Sequence, residues 1–313
     1  MSNIIFCLMG PTASGKTGLA CELVQHFPVE IISVDSAMIY RDMDIGTAKP
    51  DRETLALAPH HLIDILNPPE HYSAAQFCED AIRISEKIIN QGKIPLLVGG
   101  TMMYFRALQQ GLSSLPEADE KIRAQLLQQA EQHGWIYMHQ ELMRVDALSA
   151  AKIHPNDSQR IQRALEVYQI TRRPLSEFLA SSKFSSPYRF VNLLLMPTER
   201  AWLHQRIAQR FEHMLANGLI DEVEALLKKW QLTERDPSMR TVGYRQVLAY
   251  LQGQCDYANL CAKGIAATRQ LAKRQLTWLR HWPDSFVFSA ENPANASKVL
   301  KVIRTYVPPR SRL

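Results

Sequence analysis

The segment Gly10-Pro11-Thr12-Ala13-Ser14-Gly15-Lys16-Thr17 is where residue type and spacing speak most directly of chemistry. It fits G-x-x-x-x-G-K-[ST] and sits between an apolar run, Ile4–Met9, and a helix-compatible stretch, Lys16–His26. Glycines let such a loop curl until its N–H groups converge, and the helix N-terminus adds partial positive charge. The lysine adds a point charge and the hydroxyl a ligand for Mg²⁺. Here those parts fall to Lys16 and Thr17. The expected ligand is a di- or triphosphate, most often ATP or GTP.

Two further strand ends point at the same place. The apolar run Val29–Val34 stops at Asp35, followed by Ser36, Ala37 and Met38. Asp35 reads as a turn cap, a metal ligand or a general base. The run Ile94–Val98 stops at Gly99-Gly100, with Thr101 as the first side chain beyond. In open parallel sheets the carboxyl ends of strands line the ligand crevice, so all three segments should converge. His60, His61 and His154 lack companions at metal-ligand spacing, and no transition-metal site is expected.

The supports of these residues alternate strand and helix through about Gly111. Helix is expected over Ala74–Asn90, and a parallel sheet follows. Residues 117–180 are rich in Gln, Ala, Leu and Glu with helical periodicity. Phe190–Met196 reads as a strand rejoining the sheet. Residues 199–280 are mostly helical with a break near Thr233–Tyr244, and Ser285–Ser289 is a short last strand. The tail Tyr306–Leu313 is expected to fray. The fold class is α/β: a P-loop NTPase-like parallel sheet core flanked by helices, with an all-helical insertion domain. The expected boundaries are 1–112 with 190–313 for the core and 113–189 for the insertion.

Composition excludes other classes. The 313 residues are 46% hydrophobic and 21% charged, which is ordinary for a globular chain and excludes disordered or fibrous types. No apolar run approaches the ~18 residues of a membrane span. The start, Met-Ser-Asn-Ile-Ile-Phe, lacks the basic stretch of a secretion signal. The five cysteines form no C-x-x-C, so they read as core residues of a reducing cytosol. Residues 200–313 hold 18 Lys and Arg against 9 Asp and Glu, whereas residues 1–199 hold 18 against 22. The basic surplus suits a polyanion partner or a solvated basic face.

Taken in order, these motifs resemble the bacterial tRNA dimethylallyltransferases, or tRNA isopentenyltransferases, of the IPP transferase family. The resemblance rests on Gly10–Thr17, Asp35–Tyr40, Gly46–Pro50, Pro59–Asp64 and Gly99–Phe105. It continues through His154–Arg163, Arg240–Arg245 and Thr268–Arg280. It implies transfer of a dimethylallyl group from dimethylallyl diphosphate to the exocyclic amine of adenine 37. The implied tRNAs read codons that start with U. Asp35 would be the general base. The loop with Lys16, Mg²⁺ on Thr17, Thr101 and Arg210 would hold the diphosphate. Ser36, Ala37 and Met38 would line the adenine pocket. The anticodon stem-loop would meet Arg123, Gln159, Arg160, Ile161, Gln162 and Arg163 of the insertion. It would also meet Arg240, Thr241, Val242, Gly243, Tyr244 and Arg245. The last implied contact runs over Lys273, Arg274, Gln275, Leu276, Thr277, Trp278, Leu279 and Arg280. A monomeric cytoplasmic enzyme is expected.

Helical geometry offers a separate reading of the last segment. At 100° per residue, Arg269, Lys273 and Arg280 fall on one side, interrupted by Leu276. Leu271, Trp278 and Trp282 fall opposite. This predicts a cationic face for RNA phosphates and a buried aromatic face. Competing readings are a prenyltransferase of free adenine nucleotides, a small-molecule kinase or ATPase, and a non-catalytic RNA-binding module. The first two leave the basic helix without a task, and the last leaves the phosphate loop without one.

Overall fold

The protein is described by a computed structural model covering residues 3–112, 115–181 and 186–307. It divides into two compact units, Met1–Gln109 with Pro187–Leu313, and Gln110–Ser186. The first unit contains β1 (Ile4–Met9), α1 (Lys16–His26), β2 (Val29–Val34), α2 (Arg52–Leu57) and β3 (His60–His61). It continues with α3 (Ala74–Asn90), β4 (Ile94–Gly99) and α4 (Met102–Gln110). The second unit follows, as α5 (Glu120–Val145), α6 (Ala147–Ala150), α7 (Ser158–Thr171) and α8 (Leu175–Ser181). The chain then returns through β5 (Arg189–Met196), α9 (Arg200–Ala216), α10 (Leu219–Trp230) and a 3₁₀ turn at Ser238–Arg240. It ends with α11 (Tyr244–Leu251), α12 (Tyr257–Arg280), β6 (Ser285–Ser289) and α13 (Asn295–Tyr306).

The six strands form one parallel sheet in the order β3-β2-β4-β1-β5-β6. Every residue of β1 is buried, because helices cover both faces. Alternation along β1 feeds two cores. Ile4, Phe6 and Leu8 pack with Leu19 and Leu23 of α1 and with Val299 and Ile303 of α13. Ile5, Cys7 and Met9 pack with Phe77, Ile84 and Ile88 of α3 and with Phe105 of α4. Each such side chain contributes about 1.5–3 kcal/mol on burial. A third core joins Ile39, Tyr40 and Met43, just past β2, to Phe211, Leu219, Tyr244 and Leu260. It seats α9–α12 over the carboxyl end of β2. Among the described residues, no helix is long and apolar enough to cross a membrane.

Two elements differ from expectation. His60–His61 is a two-residue edge strand beside β2, with His61 Nε2 3.0 Å from Glu30 Oε2. Two residues carry no periodicity, which is why the strand is invisible in sequence. Tyr306 closes a full helix, its ring set edge-on to Phe6 and Phe286. The rest of the tail, residues 308–313, lies outside the described residues.

The helical unit has its own core, including Leu126, Met138, Leu142, Ile161 and Leu165. Gly134, at φ 81°, breaks α5 in two. His139 Nε2–H donates to Ala150 O and Ile153 O at 3.1 and 2.9 Å, tying α5 to α6 and the turn beyond it.

Candidate active site

Past β1 the chain curls through Gly10–Gly15 into α1. Ala13 (φ 63°) and Gly15 (φ 91°) both adopt left-handed conformations. For Ala13 that strain costs about 1–2 kcal/mol, and it persists only because neighbouring groups over-determine the loop. Those groups come from α9 and α12. Arg206 Nε donates to Ala13 O at 2.9 Å, and Arg210 Nη2 donates to Thr12 Oγ1. Gln275 Oε1 accepts from Thr12 N at 2.8 Å, while its Nε2 donates to Gly100 O at 2.9 Å. One amide side chain therefore fixes the phosphate loop against the end of β4.

Lys16 Nζ donates to Pro11 O at 2.7 Å, folding the ammonium over the loop. Burial pushes its pKa down to about 7, and the Arg210 charge acts in the same direction while Asp35 opposes. Burial likewise lowers the pKa of Arg210, with Asp35 opposing and Arg206 adding to the shift. Three cationic groups thus face one loop with a single carboxylate near them, a charge pattern that favours an anion. Thr17 lines the same space, its hydroxyl without a hydrogen bond among the described residues.

Asp35 Oδ1 accepts from Ala37 N at 2.8 Å and Met38 N at 3.3 Å. That is the turn cap, and it fixes the carboxylate with Oδ2 left over. Thr101 Oγ1 accepts from Ser36 N at 3.1 Å, joining the ends of β4 and β2.

Two chambers open from these groups. One, of about 630 Å³, is lined by the loop, Lys16, Thr17, Met38, His60 and the α9 residues Arg206 and His213. The other, of about 570 Å³, is walled by Ser36, Ala37, Tyr40, Tyr104, Phe211 and Trp278, with Arg240–Gly243 along one side. Thr12, Asp35, Thr47, Arg210 and Gln275 line both. Asp35 and Arg210 therefore stand where a phosphate chamber meets an aromatic one. The Arg106 guanidinium sits 5.5 Å from the Trp278 ring centroid.

The structure brings together Gly10–Thr17, Asp35, Thr101 and Arg210, but it redistributes other expected residues. Ser36 and Ala37 face the aromatic chamber, whereas Met38 faces the phosphate chamber. Tyr244 is fully buried in the third core, and Leu279 is buried in the second. Gln275 is 8% exposed, with both ends of its amide in use. Tyr244 and Leu279 present no surface, and Gln275 meets the chambers with its amide already engaged. Ile161 is wholly buried in the core of the helical unit. Arg123 and Arg163 both bind the buried Glu166.

The basic helix is also rotated from the expected setting. The buried seam of α12 is Leu260, Gly264, Thr268, Ala272, Gln275 and Leu279. Leu276 packs toward Leu203 and Ile207 of α9. Arg269 lies at the edge of that seam, its Nε buried without a partner among the described residues. The exposed cations are Lys263, Lys273, Arg274 and Arg280. Leu271 and Trp278 line the aromatic chamber, and Trp278 and Trp282 also pack against the second core. Sequence reading also missed Arg206, although it lies four residues before Arg210 on the same helical face.

The fold and site define an α/β protein with a P-loop and a second, aromatic chamber at the carboxyl end of its parallel sheet. The profile of the IPP transferase family matches residues 38–282, and the chain belongs to that family. A tRNA dimethylallyltransferase of Legionella pneumophila (strain Paris) is 59% identical over 304 residues, covering 97% of each chain. One of Coxiella burnetii (strain Dugway 5J108-111) is 53% identical over 301 residues, covering 96% of this chain and 97% of the relative. The crystal structure of the tRNA isopentenylpyrophosphate transferase of Bacillus halodurans is similar at TM-score 0.72 and 33% identity, covering 97% of this chain and 96% of that one. A eukaryotic dimethylallyltransferase captured acting on tRNA reaches TM-score 0.82 at 26% identity, covering 99% and 81%.

Proposed function

We propose that this protein transfers a dimethylallyl group from dimethylallyl diphosphate to the exocyclic amine of adenine 37 in tRNAs reading codons that start with U. The observation that carries this reading is the position of Asp35 and Arg210 at the junction of the phosphate and aromatic chambers. The diphosphate lies on the loop N–H groups, with Lys16 and Arg210 on its oxygens and Thr101 beside it. The extruded adenine lies between aromatic walls in the other chamber, at an unstacking cost of a few kcal/mol. An aromatic amine is a poor nucleophile because its lone pair feeds the ring. As the C–O bond to diphosphate breaks and the N–C bond forms, Asp35 Oδ2 takes the amine proton. The electron pair of the broken bond leaves on the diphosphate, where Lys16 and Arg210 stabilise the growing charge.

The residues present fit Mg²⁺. This ion takes one or two protein oxygens and completes its shell with substrate phosphates and water. The free Thr17 hydroxyl, opening onto the phosphate chamber, is such an oxygen. When bound, Mg²⁺ would neutralise diphosphate charge.

Arg240, Arg245, Lys273, Arg274 and Arg280 are exposed on the core unit and suit the backbone of the anticodon stem-loop. In the helical unit, Gln159 and Arg160 are exposed and left for the same partner. The protein would act as a monomer, in the cytoplasm where tRNA is found. Neither a small-molecule kinase nor an enzyme of free nucleotides has use for these exposed cations.

Labelled dimethylallyl diphosphate, Mg²⁺ and unmodified tRNA, AMP or ATP form the test. Label should enter tRNA alone. Asp35→Asn should cut turnover by about 10²–10⁴-fold while leaving tRNA affinity intact. Turnover within about threefold of the parent would remove Asp35 from the role of base.

A further inference from the structure

We infer that Glu222, with Tyr244 behind it, is a positioning residue that holds the wall between the two chambers. The wall is the turn Asp44–Thr47. Thr47 lines both chambers and Gly46 lines the aromatic one. Three successive backbone N–H groups of this turn converge on one carboxylate. Asp44 N and Ile45 N donate to Glu222 Oε2 at 3.0 and 2.7 Å, and Gly46 N donates to Oε1 at 3.2 Å. Consecutive amides of this kind form an anion-binding nest. Here the anion is the protein's own, carried 178 residues away on α10.

Tyr244 completes the clamp. Its hydroxyl donates to Glu222 Oε1, which fixes the carboxylate from the far side. Its ring lies so close to Gly46 that a Cβ there would sit 2.5 Å from a ring carbon. Any larger residue would push the turn off the ring. The other flank of the turn is pinned by Lys49, 4% exposed, whose Nζ donates to Tyr40 O at 3.0 Å and to Asp44 and Asp64 at 2.6 Å each. Lys49 thus anchors the turn at Asp44, while Glu222 holds the three successive amides of Asp44, Ile45 and Gly46. Thr47 spends its hydroxyl inside the turn, on Met43 O at 2.7 Å.

This assignment rests on the transfer reading for its kinetic consequence. A wall displaced by about 1 Å misaligns carbon and amine, and misplacement of that size costs up to about a hundredfold in rate. The exposed cations of α12 do not depend on the turn, so tRNA affinity should hold.

The test replaces the missing anion. Glu222→Ala should lower kcat by about ten- to a hundredfold with tRNA Kd within about twofold of the parent. Amide hydrogen exchange at residues 44–46 should accelerate. Added formate should re-enter the nest, slow that exchange and restore part of the rate, with no effect on the parent protein. Tyr244→Phe should show a smaller loss of the same kind. Should Glu222→Ala not fold, Glu222→Gln, with a single acceptor oxygen, is read by kcat and exchange. A full rate despite fast exchange would overturn the inference, as would a lost rate with unchanged exchange and no formate response. Exchange is measured without substrates. A parent protein that transfers nothing to tRNA would therefore sink the transfer reading and leave the clamp separately testable.

Discussion

Two pairs of arginines in this molecule make opposite use of the same side chain. In the helical unit, Arg123 and Arg163 converge on Glu166, which is 0% exposed. Arg123 Nε donates to its Oε1 at 2.9 Å and Nη2 to its Oε2 at 3.3 Å, Arg163 Nη1 donates to its Oε2 at 2.7 Å, and Asp119 N adds a fourth bond at 2.9 Å. Burial alone would raise the Glu166 pKa, but the bonds from Arg163 and Arg123 outweigh it and hold the carboxyl below its ordinary value. At the phosphate loop, Arg206 and Arg210 spend donors on Ala13 O and Thr12 Oγ1, both neutral. Their charge remains available. The difference teaches that an arginine's function is set by whether the fold supplies its counter-charge.

The comparison breaks most visibly in the helical unit. The double substitution Arg123→Ala with Arg163→Ala strands Glu166 in the core. Removing the partners of a buried charge costs about 3–5 kcal/mol. Chemical denaturation followed by hydrogen exchange in residues 115–181 should show that loss. Glu166→Ala should cost less, because Arg123 and Arg163 are partly exposed and can reach water. A double variant as stable as the parent would mean the carboxyl is protonated or hydrated in the native state.

The phosphate-loop pair should behave in the opposite way. Arg210→Ala removes a buried cation that repels Lys16 and Arg206, so its thermal midpoint should equal or exceed that of the parent. Its affinity for inorganic diphosphate should nonetheless fall by about 10²-fold, the scale of one desolvated charge-assisted contact. Lower stability with unchanged diphosphate affinity would reverse the assignment and make Arg210 a structural arginine like Arg163.

Lys16 sharpens the same point through pH. Its pKa near 7 in the free protein means that part of the population lacks the proton at neutral pH. On the proposed reading diphosphate binds the ammonium form, so binding should take up a proton. The sign follows: affinity falls as pH rises through 7, by up to about tenfold per pH unit. Calorimetry at pH 8 in two buffers of different ionisation enthalpy should give an uptake approaching about one proton. Lys16→Arg, which cannot lose its charge, should abolish that uptake. Equal heats in both buffers for the parent would place the Lys16 pKa well away from 7.

What sequence could and could not reveal follows the range of the interactions. The phosphate loop, Asp35 and Thr101 are legible because each motif is contiguous and ends a strand. The six-stranded sheet was legible except for β3, whose two residues carry no pattern. Gln275 and Tyr244 stand in segments that the family resemblance assigns to tRNA. Their roles instead come from bonds to Thr12, Gly100 and Glu222, which no local pattern encodes. Glu222 carries no local signal either, since a glutamate in the first turn of a helix ordinarily serves only the helix dipole. The setting of α12 departs from its helical wheel because the wheel locates the apolar arc, whereas the packing partner chooses the buried one. Here α9 covers the seam at Ala272, through Leu203 and Ile207, and at Gly264, through Phe211.

That rotation yields the smallest and most discriminating expectation. Lys273 and Arg280 project from the exposed arc of α12, whereas Arg269 lies at its buried edge with Nε enclosed. If phosphates of tRNA meet the exposed arc, each lost contact should lower the slope of log affinity against log salt by about 0.7–0.9. Lys273→Ala and Arg280→Ala should each do so and weaken binding only a few-fold near physiological salt. Arg269→Ala should leave the slope unchanged, though it lies within about 40° of both on an ideal helix. Neither kind of variant should alter diphosphate affinity, whose proposed determinants lie on the phosphate loop and α9. Titrations at several salt concentrations separate the cases. A flattened slope for Arg269→Ala alone would put the RNA on the α9 side of the helix, and the partnerless Nε would then be a phosphate ligand waiting for its oxygen.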